Sequence, residues 1–348
     1  MERWQKILSE SVTSLDELAR FVRIDIESLR PVIARYPLRI THSYLSLIQK
    51  KDDPIWRQCI PDHREIEEDD FSIDPLNENG FTPAPGLIHR YPDRAVLLVA
   101  SACPTLCRFC TRKNRMAGEG GLMNQSSLEQ ALEYLEKISA IREVILSGGD
   151  PLMLTDDDLE KILIRLRKIP HLEIVRIHTR TPVTLPERIT LRLCRMLKQY
   201  HPLYVNTQFN HPVEITSLSA NACARLADAG IPLGNQAVLL KGVNDDPEVM
   251  KQLMQRLLTI RVRPYYLHQM DLVKGTGHFR TSIQKGLNIM AGLRGHTAGM
   301  ATPTYVIDLP GGKGKVAILS DNMRRQGDTL FLRNYLGEII EYPDKDGE

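Results

Sequence analysis

The sequence predicts an α/β fold, a partial barrel of parallel strands with a helical N-terminal appendage. Three observations carry this: a strand–helix rhythm from about residue 94 onward, capping residues at helix starts between the strands, and a charged, helix-patterned stretch over residues 1–75. In the appendage, helical patterns fall at 3–10, 14–22, 26–35 and 41–50. Apolar, partly β-branched runs then mark six strands, at 95–101, 143–147, 174–178, 203–209, 232–240 and 263–270. Between them, SSLEQALEYLEKI opens on Ser126 with Glu129 three residues on, and TDDDLEKILIRLRKI opens on Thr155 with Asp158. Residues 185–199, 215–229 and 246–259 also read as helices. Alternation of this kind implies parallel strands joined by right-handed crossovers, and six units suggest a (βα)6-type, TIM-like barrel rather than an open doubly wound sheet. The chain divides into an appendage at 1–75, a barrel core at 76–290 and a C-terminal loop and tail at 291–348. In such barrels the chemistry gathers at the C-terminal ends of the strands, so motifs that follow these runs should share one pocket.

Composition limits the function classes. The chain has 348 residues, 42% of them hydrophobic, which is enough to bury a large core. Its 45 Lys and Arg stand against 43 Asp and Glu, without the basic block that marks nucleic-acid or membrane-surface binding. The N-terminal MERWQKILSE lacks a signal-peptide core, and no apolar run is long enough to span a bilayer, so a cytoplasmic protein is expected. In a reducing compartment a tight cysteine cluster holds metal more readily than it forms disulfides. Cys103, Cys107 and Cys110 form such a cluster, whereas Cys59 stands alone and Cys194 and Cys223 sit in helix-like sequence that suits a small buried residue.

The cluster stands directly after the first predicted strand, in CPTLCRFC. A four-iron cluster normally takes four thiolates, so three leave one iron open. A structural zinc site would want a fourth Cys or His nearby, and none is there. This C-x3-C-x2-C spacing, with Phe109 before the last cysteine, resembles the radical S-adenosylmethionine superfamily, in which the open iron chelates that cofactor. SGGDP at 147–151 ends the next strand, where two glycines allow close approach of backbone to a ligand. By itself it is equally an ordinary turn. Near the C-terminus, VIDLPGGKGK at 306–315 does not follow the P-loop order, but a lysine in such a loop can form a Schiff base with pyridoxal phosphate.

Eight ordered segments, HRYPDR (89–94), CPTLCRFCTRK (103–113), SGGDPL (147–152), RTPVTLPERIT (180–190), NTQFNHPVEIT (206–216), GNQAVLLKGVND (234–245), MDLVKGTGHFRT (270–281) and GLRGHTAGMATPTYVIDLPGGKGK (292–315), together resemble the lysine 2,3-aminomutase family, from about Trp4 to Tyr342. The resemblance implies an isomerase that uses a [4Fe-4S] cluster, S-adenosylmethionine and pyridoxal phosphate. A 5′-deoxyadenosyl radical removes a β-hydrogen from an amino acid held as an imine, and the nitrogen migrates from C2 to C3. It further implies that Lys315 is the Schiff-base lysine, with Lys313 a decoy. Phosphate would fall to Arg90, Tyr91 and Arg94, and the substrate α-carboxylate to Arg112, with Arg108, Lys113 and Arg115 as solvated decoys. S-adenosylmethionine would meet Gly148, Gly149, Asp150, Gln208 and Gln236. Asp271 and Asp308 match the pair that meets the ε-ammonium of lysine, a charge that is costly to bury without anions. A glutamate enzyme should lack them.

Two departures stand out. Gln208 replaces a histidine that the best-known lysine enzymes carry near S-adenosylmethionine. No cysteine follows Cys223, so the cysteine-containing extension of longer members is missing and homo-oligomer assembly is left open. The expected partners are an amino-acid substrate and a flavodoxin- or ferredoxin-like reductant, with no nucleic acid and no membrane. The same chemistry on glutamate or arginine, or β-lysine supply for elongation factor P, is the alternative.

Overall fold

In the computed structural model, which describes residues 2–67, 70–115, 123–319, 322–327, 329–334 and 336–343, nine strands form one sheet in chain order. They are β1 (Leu87–Tyr91), β2 (Arg94–Ala100), β3 (Glu143–Gly148), β4 (Ile174–His178), β5 (Leu203–Thr207), β6 (Leu233–Leu239), β7 (Arg263–Gln269), β8 (Thr304–Asp308) and β9 (Lys315–Ala317). Every neighbouring pair from β2 to β8 is parallel. β1 and β9 close the two edges as antiparallel hairpin strands. Among the described residues the edges do not join, so the sheet curls around a cavity without closing into a complete barrel.

All six expected strands form, and the sheet holds three that the sequence reading missed. β1 lies in the HRYPDR motif, and β8 and β9 flank the PGGKG loop; a short run beside glycines and prolines has no periodicity to announce it. A second, antiparallel sheet of β10 (Met323–Gln326), β11 (Thr329–Arg333) and β12 (Ile339–Pro343) follows, and residues 344–348 of the C-terminal tail lie outside the described residues.

The helices obey their capping chemistry with one correction. Thr155 caps Asp156–Arg167 by accepting the Asp158 N–H, as its sequence predicts. That helix opens on three aspartates and closes with Arg165 and Arg167, which suits its dipole. It buries Leu159, Ile162, Leu163 and Leu166 on one face, each burial being worth about 1.5–3 kcal/mol. The cap of the earlier helix stands two residues before the expected Ser126. Asn124 is its cap, accepting the Ser127 N–H, because the Asn124 backbone is extended there and its amide oxygen reaches the third N–H.

The N-terminal stretch packs on the barrel in one continuous core, in which Leu18, Val32, Ile40 and Tyr44 join Leu97, Val99 and Leu146. It also supports the cysteine loop. The Arg39 carbonyl accepts the Leu106 N–H at 2.9 Å and the Gln58 carbonyl accepts that of Arg108 at 2.9 Å. Fully buried Glu65 binds Arg108 at 2.6 Å and Lys113 at 2.8 Å. Arg108 and Lys113 are therefore not the solvated residues the sequence suggested: a carboxylate from the N-terminal segment neutralises both and fixes the loop.

Candidate active site

A cavity of about 1140 Å³ runs inside the curled sheet, and every site residue singled out above lines it. The motifs are scattered between residues 90 and 315, but each stands on or just after a strand, so the parallel register delivers them to one place.

Cys103, Cys107 and Cys110 are free thiols on the loop after β2. Burial and the neighbouring Asp150 carboxylate push the Cys103 thiol well up, and burial with Cys107 nearby pushes Cys110 up to about 11. Iron binding must therefore displace protons here. Among the described residues no three His, Cys, Asp or Glu side chains converge as a single metal ion requires.

The glycines of SGGDP pack closely against protein backbone. A Cβ on Gly148, whose φ is +125°, would stand 2.1 Å from the Ala100 carbonyl oxygen, and one on Gly149 would stand 2.4 Å from that of Ala102. Gly149 N–H and Asp150 N–H donate to those same two carbonyls at 2.6 and 2.7 Å. The motif is thus joined to the start of the cysteine loop. The Asp150 carboxylate accepts from Thr179 Oγ1 and from the backbone N–H groups of Leu152, Arg180 and Thr181, so it ties the ends of β3 and β4 together. Gln208 and Gln236 make no side-chain hydrogen bond to any described residue and face the cavity with free amides.

At the other wall, the β8–β9 hairpin sets Asp308 opposite Lys315 in register. Gly312, at φ +75°, permits the turn between them, since a Cβ there would meet Phe81 at 2.3 Å. Lys315 Nζ donates to Asp308 Oδ2 at 2.5 Å, and Arg90 and His268 Nδ1 each lie 3.3 Å from the same carboxylate. Asp308 therefore ends a strand and is the counter-ion of Lys315. Burial works to raise its pKa, but the His268 hydrogen bond and the Lys315 charge outweigh it and hold the carboxyl far below the usual range. Burial lowers the Lys315 amine, with Asp308 opposing. Lys313 is exposed, away from the cavity.

Asp271, just past β7, accepts from Thr111 Oγ1 at 3.0 Å. Burial, and then the charge of nearby Asp308, push its carboxyl up to about 6. Arg112 presents its Nε and Nη2 edge to Glu78, the shortest contact being 2.7 Å, and its Nη1 to Ser147 at 3.3 Å. Tyr91 carries a buried hydroxyl with no hydrogen-bond partner among the described residues, and the Arg94 guanidinium stacks 3.9 Å above its ring.

Sequence reading missed four residues on this cavity. His178 and His268 sit in strands, where a lone histidine looks like core; burial, first of all, lowers the pKa of both. Glu78 comes from the N-terminal side with no motif around it. Arg180 stands at the head of RTPVTLPERIT, and only that motif could have flagged it. Its Nη1 reaches Cys107 Sγ at 2.8 Å.

Comparison with known proteins adds relatives to this geometry. Residues 97–254 match the radical SAM superfamily and residues 290–347 match the family described as lysine-2,3-aminomutase. The L-lysine 2,3-aminomutase of Fusobacterium nucleatum is 45% identical over 348 residues, covering 98% of this chain and 82% of that one. That of Clostridium subterminale is 46% identical over 350 residues, covering 98% and 83%. The glutamate 2,3-aminomutase of Clostridioides difficile is 44% identical over 349 residues, covering 99% and 82%. Among the described residues no helix is long and apolar enough to cross a membrane.

Proposed function

Since the chain belongs to the lysine 2,3-aminomutase family of radical S-adenosylmethionine isomerases, we propose that its substrate is L-lysine and that it moves the α-amino group to C3, giving β-lysine. One observation carries the choice of lysine: Asp271 and Asp308, two interacting carboxyl groups, line the cavity that also holds Arg112 and Lys315. A substrate with a carboxylate at one end and a distant ammonium at the other matches that arrangement. Glutamate, which one relative's name specifies, would bring a second carboxylate against two aspartates and be repelled.

The cavity's donors fit the three groups the family requires. Cys103, Cys107 and Cys110 would hold the cluster. The backbone at Gly148 and Gly149 and the free amides of Gln208 and Gln236 would hold S-adenosylmethionine. Arg90, Arg94 and the unpaired Tyr91 hydroxyl would hold the phosphate of pyridoxal phosphate, with Lys315 reaching its aldehyde. When bound, the cluster and S-adenosylmethionine supply a 5′-deoxyadenosyl radical, and pyridoxal phosphate supplies the conjugated carrier across which the amino group passes.

The chain's own residues supply position and protons. Lys315 must shed a proton before it can act as a nucleophile; Asp308 Oδ2 at 2.5 Å orients the ammonium and holds its proton, and His268 Nδ1 at 3.3 Å is the neighbouring base. Glu78 fixes the plane of the Arg112 fork for the substrate carboxylate. A flavodoxin- or ferredoxin-like protein is the proposed electron source.

Anaerobic iron–sulfide reconstitution tests the reading. Four irons per chain, lost in Cys103→Ala, a pyridoxal absorbance lost in Lys315→Ala, and conversion of lysine but not glutamate are expected. A colourless reconstituted protein, or turnover of glutamate in preference to lysine, overturns it.

A further inference from the structure

Arg180 is buried at the end of β4, and four of the groups that hold it have nothing to do with the cysteines. Its Nε donates to the Gln208 carbonyl at 3.2 Å. Its Nη2 meets Gln58 Oε1 at 2.6 Å, Glu214 Oε1 at 2.7 Å and the Tyr44 hydroxyl at 2.9 Å. Tyr44, Gln58 and Glu214 are all fully buried. With the rest of the guanidinium pinned, Nη1 is left aimed at Cys107 Sγ, 2.8 Å away. Glu214 is held in turn, accepting from Tyr44 at 2.7 Å and from the N–H groups of Asn210 and His211 at 2.6 and 3.0 Å. A buried arginine commonly serves only to close an ion pair. Here the pair is closed on one edge of the fork, and the other edge is spent on a sulfur.

We infer that Arg180 sets the reduction potential of the cluster, by donating a charged hydrogen bond to the Cys107 ligand, and that Glu214 moderates it. The inference rests on the reading that Cys107 is a cluster ligand. Adding an electron to the cluster makes it more negative, and a fixed cation on a ligand sulfur in a water-poor interior favours the reduced form. Glu214 lies on the far edge of the same guanidinium, so its negative charge opposes Arg180 from a greater distance. The two residues should therefore move the potential in opposite directions.

The test is an anaerobic redox titration of the reconstituted full-length chain, followed by the electron paramagnetic resonance signal of the reduced cluster, with iron content measured alongside. Arg180→Gln alone strands a buried carboxylate, so the main variant is the double Arg180→Gln/Glu214→Gln, which keeps the network neutral and hydrogen-bonded. We expect four irons per chain and a lower potential in the double variant, at least a tenfold loss in the reduction equilibrium, or about 59 mV for a one-electron couple. Glu214→Gln alone should raise the potential, and Arg180→Lys should fall between wild type and the double variant. Equal potentials in wild type and both glutamine variants, shifts of the same sign in both, or loss of iron in place of a shift each overturn the inference, the last by making Arg180 a loop support only. Wild-type protein that takes up no cluster overturns instead the functional reading beneath it.

Discussion

Substitution of Asp271 by asparagine separates its charge from its shape. The wild-type carboxyl titrates at about 6, so it is protonated below that pH and ionised above it. An ε-ammonium needs the ionised form, and kcat/KM for lysine should therefore fall as pH drops through 6. One ionising group takes the ionised fraction from about ten-elevenths at pH 7 to about one-eleventh at pH 5, a loss of about tenfold. Asp308 does not titrate in this window, being held far lower beside His268 and Lys315. In Asp271→Asn the limb should vanish, and kcat/KM should be lower throughout by about thirtyfold or more, since losing one member of a buried charge pair costs about 2 kcal/mol at the least. Reductive cleavage of S-adenosylmethionine should be little changed. Stability should move the other way. A folded-state pKa above the unfolded value means that the ionised group costs stability at neutral pH, by about 3 kcal/mol at most, and that the cost fades as pH falls from 6 toward 4. Asp271→Asn should thus have the higher Tm at pH 7. Steady-state kinetics from pH 5 to 8 and thermal melts of both proteins decide it: a variant that keeps the acid limb, or lysine kcat/KM within threefold of wild type, refutes the role given to Asp271.

Three further outcomes are expected. Glu78→Gln should raise KM for lysine about tenfold with a smaller change in kcat, because the Arg112 fork loses its fixed plane; a lower KM would instead make Glu78 a competitor of the substrate carboxylate. Gly149→Ala puts a methyl group 2.4 Å from the Ala102 carbonyl, which belongs to backbone and cannot swing aside, so iron content after reconstitution should drop and stability fall by about 1–3 kcal/mol; full iron loading and an unchanged Tm would count against the close packing. Asp308→Asn removes the counter-ion of Lys315 and lowers its amine pKa further, so the onset of pyridoxal absorbance should move to lower pH, and an onset that stays put or rises contradicts the ion pair.

Much of this site was legible in one dimension because its chemistry is local. Three thiols within eight residues need no tertiary structure to be recognised, nor does a lysine closing a glycine-rich loop, and six apolar runs separated by helical patterns announce parallel strands through periodicity alone. Short or interrupted elements were not legible. β8 and β9 are five and three residues beside PGGKG, and nothing in their pattern says that Asp308 and Lys315 will face each other in register.

Charge partnership is what only the tertiary structure decided. By sequence, Arg108, Lys113 and Arg115 are equivalent cations around Arg112, Asp150 is one of several residues expected near S-adenosylmethionine, and Glu65, Glu78 and Glu214 are anonymous acids. Folding brings Glu65 beneath Arg108 and Lys113, Glu78 onto Arg112 and Glu214 onto Arg180, and it spends Asp150 on backbone N–H groups. The physical reason is that a buried charge must find its opposite wherever the chain places it, here across 34 to 48 residues. Sequence therefore determined which reactive groups this protein carries; the tertiary structure decided which of them are left free to meet a ligand.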